Sequence, residues 1–410
     1  MSKNYPNTEP LVEEVLKNFF TEADAEVFNS NYLASEQRQD VTDEKLKEEF
    51  DVDLQSGIRT RSQVDLLLTF AENKLPKDKF IDLLLFVGQS TITSGEFSTA
   101  LEIHEKLAHF SEDTPQMKNI AANAFLRMSE VYSRQAKWEL SFNYLGKADN
   151  LFQDENDVKG NAECENLMGT IFGDKGELQK AVEHFENALT FLEDNPDNVL
   201  KGKIEINLGI INNIQGKYDS ALSYFRRALL NFEKAEDIRR VSEVRQDMGM
   251  VYTKKKEFRE ALSEFDLSLT AAKEINYLQS FGINYVSKAY VYTQLSDFDF
   301  AEAFADKSME VAYKLDDKLT IAEVYKIKGI IQRNKNNLAA AENYLLTSLR
   351  LNNETGNKLN QAETSYELGI LYNISDDNEK SNKYFADALE YYKKIEAEEE
   401  IREIEKLIIN

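Results

Sequence analysis

Apolar positions along the chain follow the spacing of amphipathic helices, and the whole pattern returns at a fixed interval. Gly209 lies within one helical pattern, Gly216 interrupts it, and Ala221 and Phe225 belong to a second helical pattern. The same order begins again at Gly249, 40 residues later. Because a single helix pair cannot bury its apolar face alone, a repeat of this length predicts an array in which each pair stacks on the next.

Small residues form two columns within this repeat. The first column is Gly88, Ser129, Gly169, Gly209, Gly249, Ala289, Gly329 and Gly369, and the second is Ala100, Ser141, Ala181, Ala221, Ala261, Ala301, Ala341 and Ser381. A glycine inside a helix costs about 1 kcal/mol relative to alanine, so we expect a packing reason for it. We predict that the two columns meet where the helices of a pair approach most closely.

Residues typical of helix ends recur with the same period. Gly95, Gly176, Gly216, Ser296, Asn336 and Asp376 form a column of types that mostly accept the left-handed backbone conformation ending a helix. Ala136 and Lys256 interrupt this column, which predicts that two turns differ from the rest. Helix N-caps are predicted at Asp157, Asp197, Asp237, Asp317 and Asn357, with Tyr277 as the exception.

The order of small and aromatic residues resembles the tetratricopeptide repeat family. It is present in Gly249, Tyr252, Ala261 and Phe265, and again around Gly369. The 40-residue period resembles a subclass found in cell-polarity adaptors and in bacterial peptide-responsive Rap-type regulators. The resemblance implies an all-α, right-handed superhelical solenoid of about eight antiparallel helix pairs, whose concave surface binds a peptide or a partner helix.

The pattern divides the chain into three parts. Residues 78–395 carry the repeats, and residues 396–410 form a predicted C-terminal capping helix. Residues 1–77 do not fit the repeat but contain two helical patterns. This N-terminal part is predicted to be a helical cap that shields the first repeat, and the alternative is a small bundle that acts on a signalling partner.

Columns of the first helix in each pair are predicted to line the concave surface. Five of the eight residues in one column, six places before the first small column, are acidic, and the column next to the small residues becomes apolar in its second half. An acidic edge beside an apolar stripe suits a basic amphipathic helix or an extended peptide with apolar anchors. The predicted partner-binding residues are Glu163, Asn166, Asn213, Glu243, Gln246, Met250, Tyr290, Glu323, Ile330, Glu363 and Asn373. The alternative is a solvated acidic face and an apolar stripe packed between helices.

Composition excludes several classes of function. The net charge of −24 disfavours nucleic acid as a ligand, and no apolar run is long enough for membrane insertion. Cys164 is the single cysteine and the three histidines are scattered, so we expect a reducing, cytoplasmic compartment and no metal site. No motif selects catalytic or cofactor-binding residues, and we therefore do not expect an enzyme.

Two functions from different classes fit the pattern. The first is a non-enzymatic scaffold or adaptor that binds a peptide or amphipathic helix in its concave groove. The second is a peptide-responsive signalling regulator whose N-terminal region acts on a partner protein. The groove or an end repeat could also form a homo-oligomer.

Overall fold

The computed structural model describes residues 10–30, 56–94, 96–112, 117–194, 197–315 and 317–408, and it contains no β-strand in these ranges. The chain forms two compact units, residues 1–164 and residues 165–410. Each unit is described by itself below. The all-α class predicted from the repeat is confirmed.

Most helices come in consecutive pairs that pack against each other. They are α1 (Pro10–Phe19), α2 (22–30), α3 (Ser56–Lys74), α4 (Lys77–Ser94), α5 (Phe97–Glu112), α6 (Lys118–Arg134), α7 (Trp138–Asp154), α8 (Val158–Asp174), α9 (Leu178–Phe191), α10 (Asn198–Ile214), α11 (Tyr218–Lys234), α12 (Ile238–Lys254), α13 (Phe258–Glu274), α14 (Leu278–Gln294), α15 (Phe298–Lys314), α16 (Lys318–Asn334), α17 (Leu338–Thr355), α18 (Lys358–Ile374), α19 (Asn378–Lys394) and α20 (Glu398–Ile408). The eight pairs run from α4/α5 to α18/α19, as the two small columns predict.

The N-terminal helices share an apolar core with the first pair. Val15 and Leu16 of α1, Leu67 of α3, and Leu83 and Leu84 of α4 are buried in one cluster. In the unit of residues 1–164, these helices therefore pack against α4 and α5.

The predicted close contact within each pair is confirmed at the glycines of the first column. A Cβ atom built on Gly249 would lie 2.5 Å from the Phe265 ring, and one built on Gly209 would lie 2.6 Å from the Phe225 ring. Both distances are too short for a real Cβ atom, because the ring of the second helix packs directly on the backbone of the first. The phenylalanine 16 positions later therefore requires glycine at these two positions.

Serines meet at the same contact in another way. The Ser129 hydroxyl donates to the Ser141 carbonyl oxygen over 2.9 Å, and the Ser141 hydroxyl donates to the Ser129 carbonyl oxygen over 2.8 Å. Two small hydroxyl groups therefore satisfy each other where the helices are too close for larger side chains.

The prediction that two turns differ is wrong. Ala136 and Lys256 have positive φ angles of 54° and 61°, like Asn336 at 62°, and Gly95 lies outside the described residues. The Lys256 N–H donates to the Thr253 carbonyl oxygen over 3.0 Å, and the next N–H, of Glu257, donates to a carbonyl of the same helix over 2.9 Å. These hydrogen bonds and the packing of the pair offset the cost of about 1–2 kcal/mol for a left-handed residue with a side chain.

The predicted N-caps are confirmed. Asp237 accepts a hydrogen bond from the Arg240 N–H at 3.1 Å, and Asp317 accepts one from the Thr320 N–H at 3.1 Å. The remaining caps are Asp157, Asp197 and Asn357, whose side chains accept from backbone N–H groups at 2.9, 2.9 and 3.1 Å. Tyr277 makes no such bond, as predicted.

Candidate ligand cavity in residues 165–410

The first helices of successive pairs line a half-open cavity of about 440 Å³ in the second unit. Its wall consists of residues from α12, α14, α16 and α18, with contributions from α10, α13, α19 and α20. Six of the predicted partner-binding residues line it: Asn213, Met250, Tyr290, Glu323, Ile330 and Glu363. These six residues therefore share one cavity.

The other predicted residues lie elsewhere. Glu163 belongs to the first unit and pairs with Arg127. Asn166 accepts a hydrogen bond from Asn207 at 3.2 Å, and Asn373 is exposed. None of these three residues lines the cavity.

Glu243 and Gln246 lie on α12, outside the cavity lining. Glu243 is held by the guanidinium groups of Arg239 and Arg240 at 3.1 and 2.9 Å. Burial, together with the neighbouring Glu243 carboxylate, raises the pKa of Asp247 to about 7. Part of the predicted acidic edge is therefore already neutralised by cations of the same chain.

A buried lysine organises the polar side of the cavity. The Lys326 ammonium contacts the Glu323 carboxylate at 2.8 Å and also contacts the Glu363 carboxylate, and its side chain is only 7% exposed. Although burial alone would lower the pKa of Lys326, the two carboxylates hold it above its usual value. Burial raises the pKa of Glu323, and the neighbouring Glu363 carboxylate raises it as well. The single Lys326 ammonium group does not fully compensate these two effects.

The cavity lining carries more negative than positive charge. Its acidic residues are Glu323, Glu363, Glu367, Glu400 and Glu403, and its basic residues are Lys254 and Lys326. Arg333 pairs with Glu367 from outside the lining, so five carboxylates face three cations, which leaves two negative charges when all groups are ionised. The site therefore favours a ligand with positive charge.

Aromatic and apolar side chains form the rest of the wall. Met250 is 46% exposed and presents a flexible thioether, whereas Ile330 is only 2% exposed and packs into the core of α14 and α16. Burial raises the pKa of Tyr290 to about 12, so its hydroxyl keeps its proton and can donate a hydrogen bond. In the predicted apolar stripe, Met250 is thus exposed in the cavity, whereas Ile330 is mainly part of the helix core.

Sequence reasoning missed several lining residues. Lys326 and Tyr366 stand in the column of Asn166 and Gln246, so extending that column would have found them. Glu400 and Glu403 of α20 belong to no repeat, and no periodic signal points to them.

The described ranges contain neither a candidate metal site nor a membrane-spanning helix. No group of three or more His, Cys, Asp or Glu residues there has an arrangement that could hold a metal ion. Within the same part of the chain, no helix has the length and apolar character needed to cross a membrane.

Family models agree with the repeat. A model described as "Tetratricopeptide repeat" matches residues 201–274, and one described as "Soluble NSF attachment protein, SNAP" matches residues 92–231. The repeats in residues 201–274 are of the tetratricopeptide type. No curated protein matches it in sequence.

Solved structures share the fold of this protein at low sequence identity. Aspartyl phosphate phosphatase F from Bacillus subtilis aligns with a TM-score of 0.59 and 13% identity, over 96% of each chain. The quorum sensor NprR from B. thuringiensis aligns with a TM-score of 0.56 and 17% identity, over 83% of this chain and 97% of its own. The Rap conjugation gene regulator of plasmid pLS20, in complex with the Phr* peptide, aligns with a TM-score of 0.55 and 15% identity, over 86% of this chain and 92% of its own.

Proposed function

We propose that this protein is a non-enzymatic interaction module that holds an extended peptide with a basic side chain in the cavity of residues 165–410. The observation that carries the proposal is the pair of carboxylates, Glu323 and Glu363, which share one buried ammonium group in the cavity wall. A cationic group of the ligand supplies the missing positive charge. Similar folds in a quorum sensor and in a regulator solved with a peptide support this proposal.

The size of the cavity favours an extended segment over a helix. Its volume of about 440 Å³ lies within the range of small ligand pockets. A helix with its side chains is about 10–12 Å across, so a volume of this size holds only about one helical turn. Backbone groups of an extended segment can instead bond to Asn213 and to the Tyr290 hydroxyl, while Met250 covers an apolar side chain.

A direct test uses a synthetic pool of fluorescein-labelled hexapeptides, each with one Arg or Lys among apolar residues. A second pool carries Glu at the same place. We expect fluorescence anisotropy to show binding of the basic pool alone, and Glu323→Gln with Glu363→Gln to weaken it about tenfold or more. Glu354→Gln, which removes the partner of Arg350 in an exposed pair on α17, is the matched control. Equal binding of both pools, or no effect of the double substitution, contradicts the proposal.

A second candidate is a peptide-responsive regulator whose N-terminal helices act on a partner. The shared apolar core of α1, α3 and α4 favours it, because these helices form a packed element of the unit of residues 1–164, whereas the cavity belongs to residues 165–410. Pull-downs with the full chain, with and without a binding hexapeptide, distinguish the two functions. Peptide-dependent capture that is lost with Leu66→Ser, a change at an exposed residue of α3, favours the regulator. Since one structural neighbour is named a phosphatase, aspartyl-phosphate hydrolysis by the captured complex is measured as well.

A further inference from the structure

The C-terminal end of the array touches turns that lie far earlier in the sequence. Tyr218, at the start of α11, donates its hydroxyl hydrogen to Glu399 of α20, 181 residues further along the chain. Lys254, at the end of α12, contacts Glu400 at 2.7 Å. We call these contacts, together with those of Gly176 and Gly216 described next, the seam.

Two glycine turns complete the seam. A Cβ atom built on Gly176 would lie 2.8 Å from the Lys394 carbonyl oxygen, and one built on Gly216 would lie 3.7 Å from the Glu399 carboxylate. The turn at Gly176 therefore rests directly on the end of α19. Only a residue without a side chain permits this approach.

The seam is polar, whereas the attachment of α20 to α19 is apolar. Ile404 is fully buried, and it packs with Tyr392 and Ala397 in one apolar cluster of α19 and α20. In the seam, the Lys254 and Glu400 side chains remain 40% and 25% exposed. Ion pairs of this exposure contribute little stability and are screened by salt. Separation is therefore expected at the seam, with α20 remaining on α19.

The seam also borders the ligand cavity. Lys254 and Glu400 line the cavity from opposite sides of the seam, and Glu403 follows on the inner face of α20. Separation at the seam widens the cavity at this end, because it removes the contact between α12 and α20. Closure restores the smaller cavity of the structure described here.

We propose that the seam is a gate, at which α20 and the end of α19 separate from the turns at Gly176, Gly216 and Lys254 to admit a peptide and then close over it. The identity of the ligand rests on the proposed function. The opening itself rests only on the contacts of the seam.

The distance across the seam tests the opening. Labels are placed at Lys217→Cys, beside the Gly216 turn, and Glu405→Cys of α20, both exposed positions, while the native Cys164 is buried. We expect pulsed electron spin resonance to show a main short distance and a second, longer one that grows with salt. One unchanging short distance from low to high salt overturns the gate.

Two glycine substitutions provide a matched pair. Gly176 and Gly356 have φ angles of +80° and +70°, so alanine strains the backbone similarly at both, but only Gly176 has a neighbour within 4 Å. Gly176→Ala is expected to shift the labels toward the longer distance, and Gly356→Ala is expected to leave the distribution unchanged. Equal distributions in the two variants contradict the gate.

A charge reversal keeps the test independent of turn strain. Lys254→Glu is expected to populate the longer distance, and adding Glu400→Lys is expected to restore the short one, because the pair is re-formed with opposite polarity. A short distance that persists in the Lys254→Glu variant overturns the gate.

A reducible bis-maleimide between the two engineered cysteines then connects opening to ligand entry. We expect the cross-linked chain to bind the basic hexapeptide pool at least about tenfold more slowly, with full recovery after reduction. Equally fast binding before and after reduction contradicts the gate and leaves the proposed function intact. Label distances that respond as expected, in a chain that binds no peptide pool, contradict the proposed function and leave the opening intact.

Discussion

The contact inside a helix pair and the contact at the seam represent two different ways of joining helices in this molecule. At Gly249 the Phe265 ring lies on bare backbone and both residues are fully or nearly fully buried. At the seam, Lys254 and Glu400 meet while partly exposed to water. The first contact is repeated every 40 residues, and the second occurs outside the repeat. Stability is therefore expected from the pairs, and adjustable geometry from the seam.

The largest effect is expected from overpacking a pair. Gly249→Ile places a branched side chain where even a Cβ atom would lie 2.5 Å from Phe265, and we expect a loss of about 3 kcal/mol or more in the free energy of unfolding. Chemical denaturation measures it. Gly146→Ala of α7, whose Cβ would meet nothing within 4 Å, is the control and should gain up to about 1 kcal/mol. Equal changes in the free energy of unfolding for the two variants would contradict close packing at Gly249.

A smaller effect is expected from the charged cavity wall. Lys326→Met leaves Glu323 and Glu363 without their shared cation, and both are only partly exposed, at 27% and 37%. We expect a loss of about 2 kcal/mol in the free energy of unfolding, since removal of the lysine leaves two partly buried carboxylates without a cation. Adding Glu323→Gln and Glu363→Gln should recover most of it. A triple variant as unstable as Lys326→Met would contradict the charge explanation.

The carboxyl group of Asp247 gives a pH-dependent effect. Because its pKa is about 7 instead of 3.8, the folded chain retains a proton between about pH 4 and 7 that the unfolded chain loses. The contribution of Asp247 to stability therefore falls as the pH rises through this window. Asp247→Asn should therefore reduce this pH dependence. The gain in the free energy of unfolding over the unsubstituted protein should be larger at pH 8 than at pH 4 by about 1 kcal/mol or more. Asp387→Asn, exposed on α19, is the control for the loss of one carboxylate.

The smallest effect on stability is expected at the seam. Lys254→Met removes one exposed pair and should change the free energy of unfolding by less than about 0.5–1 kcal/mol. Its association rate with the basic hexapeptide pool should nevertheless rise. A loss as large as that of Gly249→Ile would show that the seam holds the fold together and would end the contrast between the two contacts.

The repeat made the local structure predictable. Gly249, Ala261 and Asp237 each fall in a column whose role is confirmed by close packing, burial or an N-cap. Such roles depend only on the helix itself and on the helix that follows it. The residue types recur with the repeat because the same packing contact is formed in each pair.

Other features were not accessible from the columns. Lys256 takes the left-handed conformation although its residue type disfavours it, because neighbouring hydrogen bonds and packing fix the turn. Positive φ angles also occur in the turns between pairs, at Asn156, Glu236 and Glu396. No column of glycines in the sequence predicts them. The contact of Glu399 with Tyr218 depends on the cumulative curvature of many pairs, which no single repeat encodes.

The most direct test of the peptide cavity is a photocross-linking experiment with a basic hexapeptide from the binding pool that carries a benzophenone group. Mass spectrometry of the cross-linked chain should locate the adduct on Met250 or Tyr290, and Glu323→Gln with Glu363→Gln should reduce its yield about tenfold or more at subsaturating peptide. Adducts confined to helices outside the cavity, or adducts unaffected by the double substitution, would contradict the claim that this cavity receives the peptide.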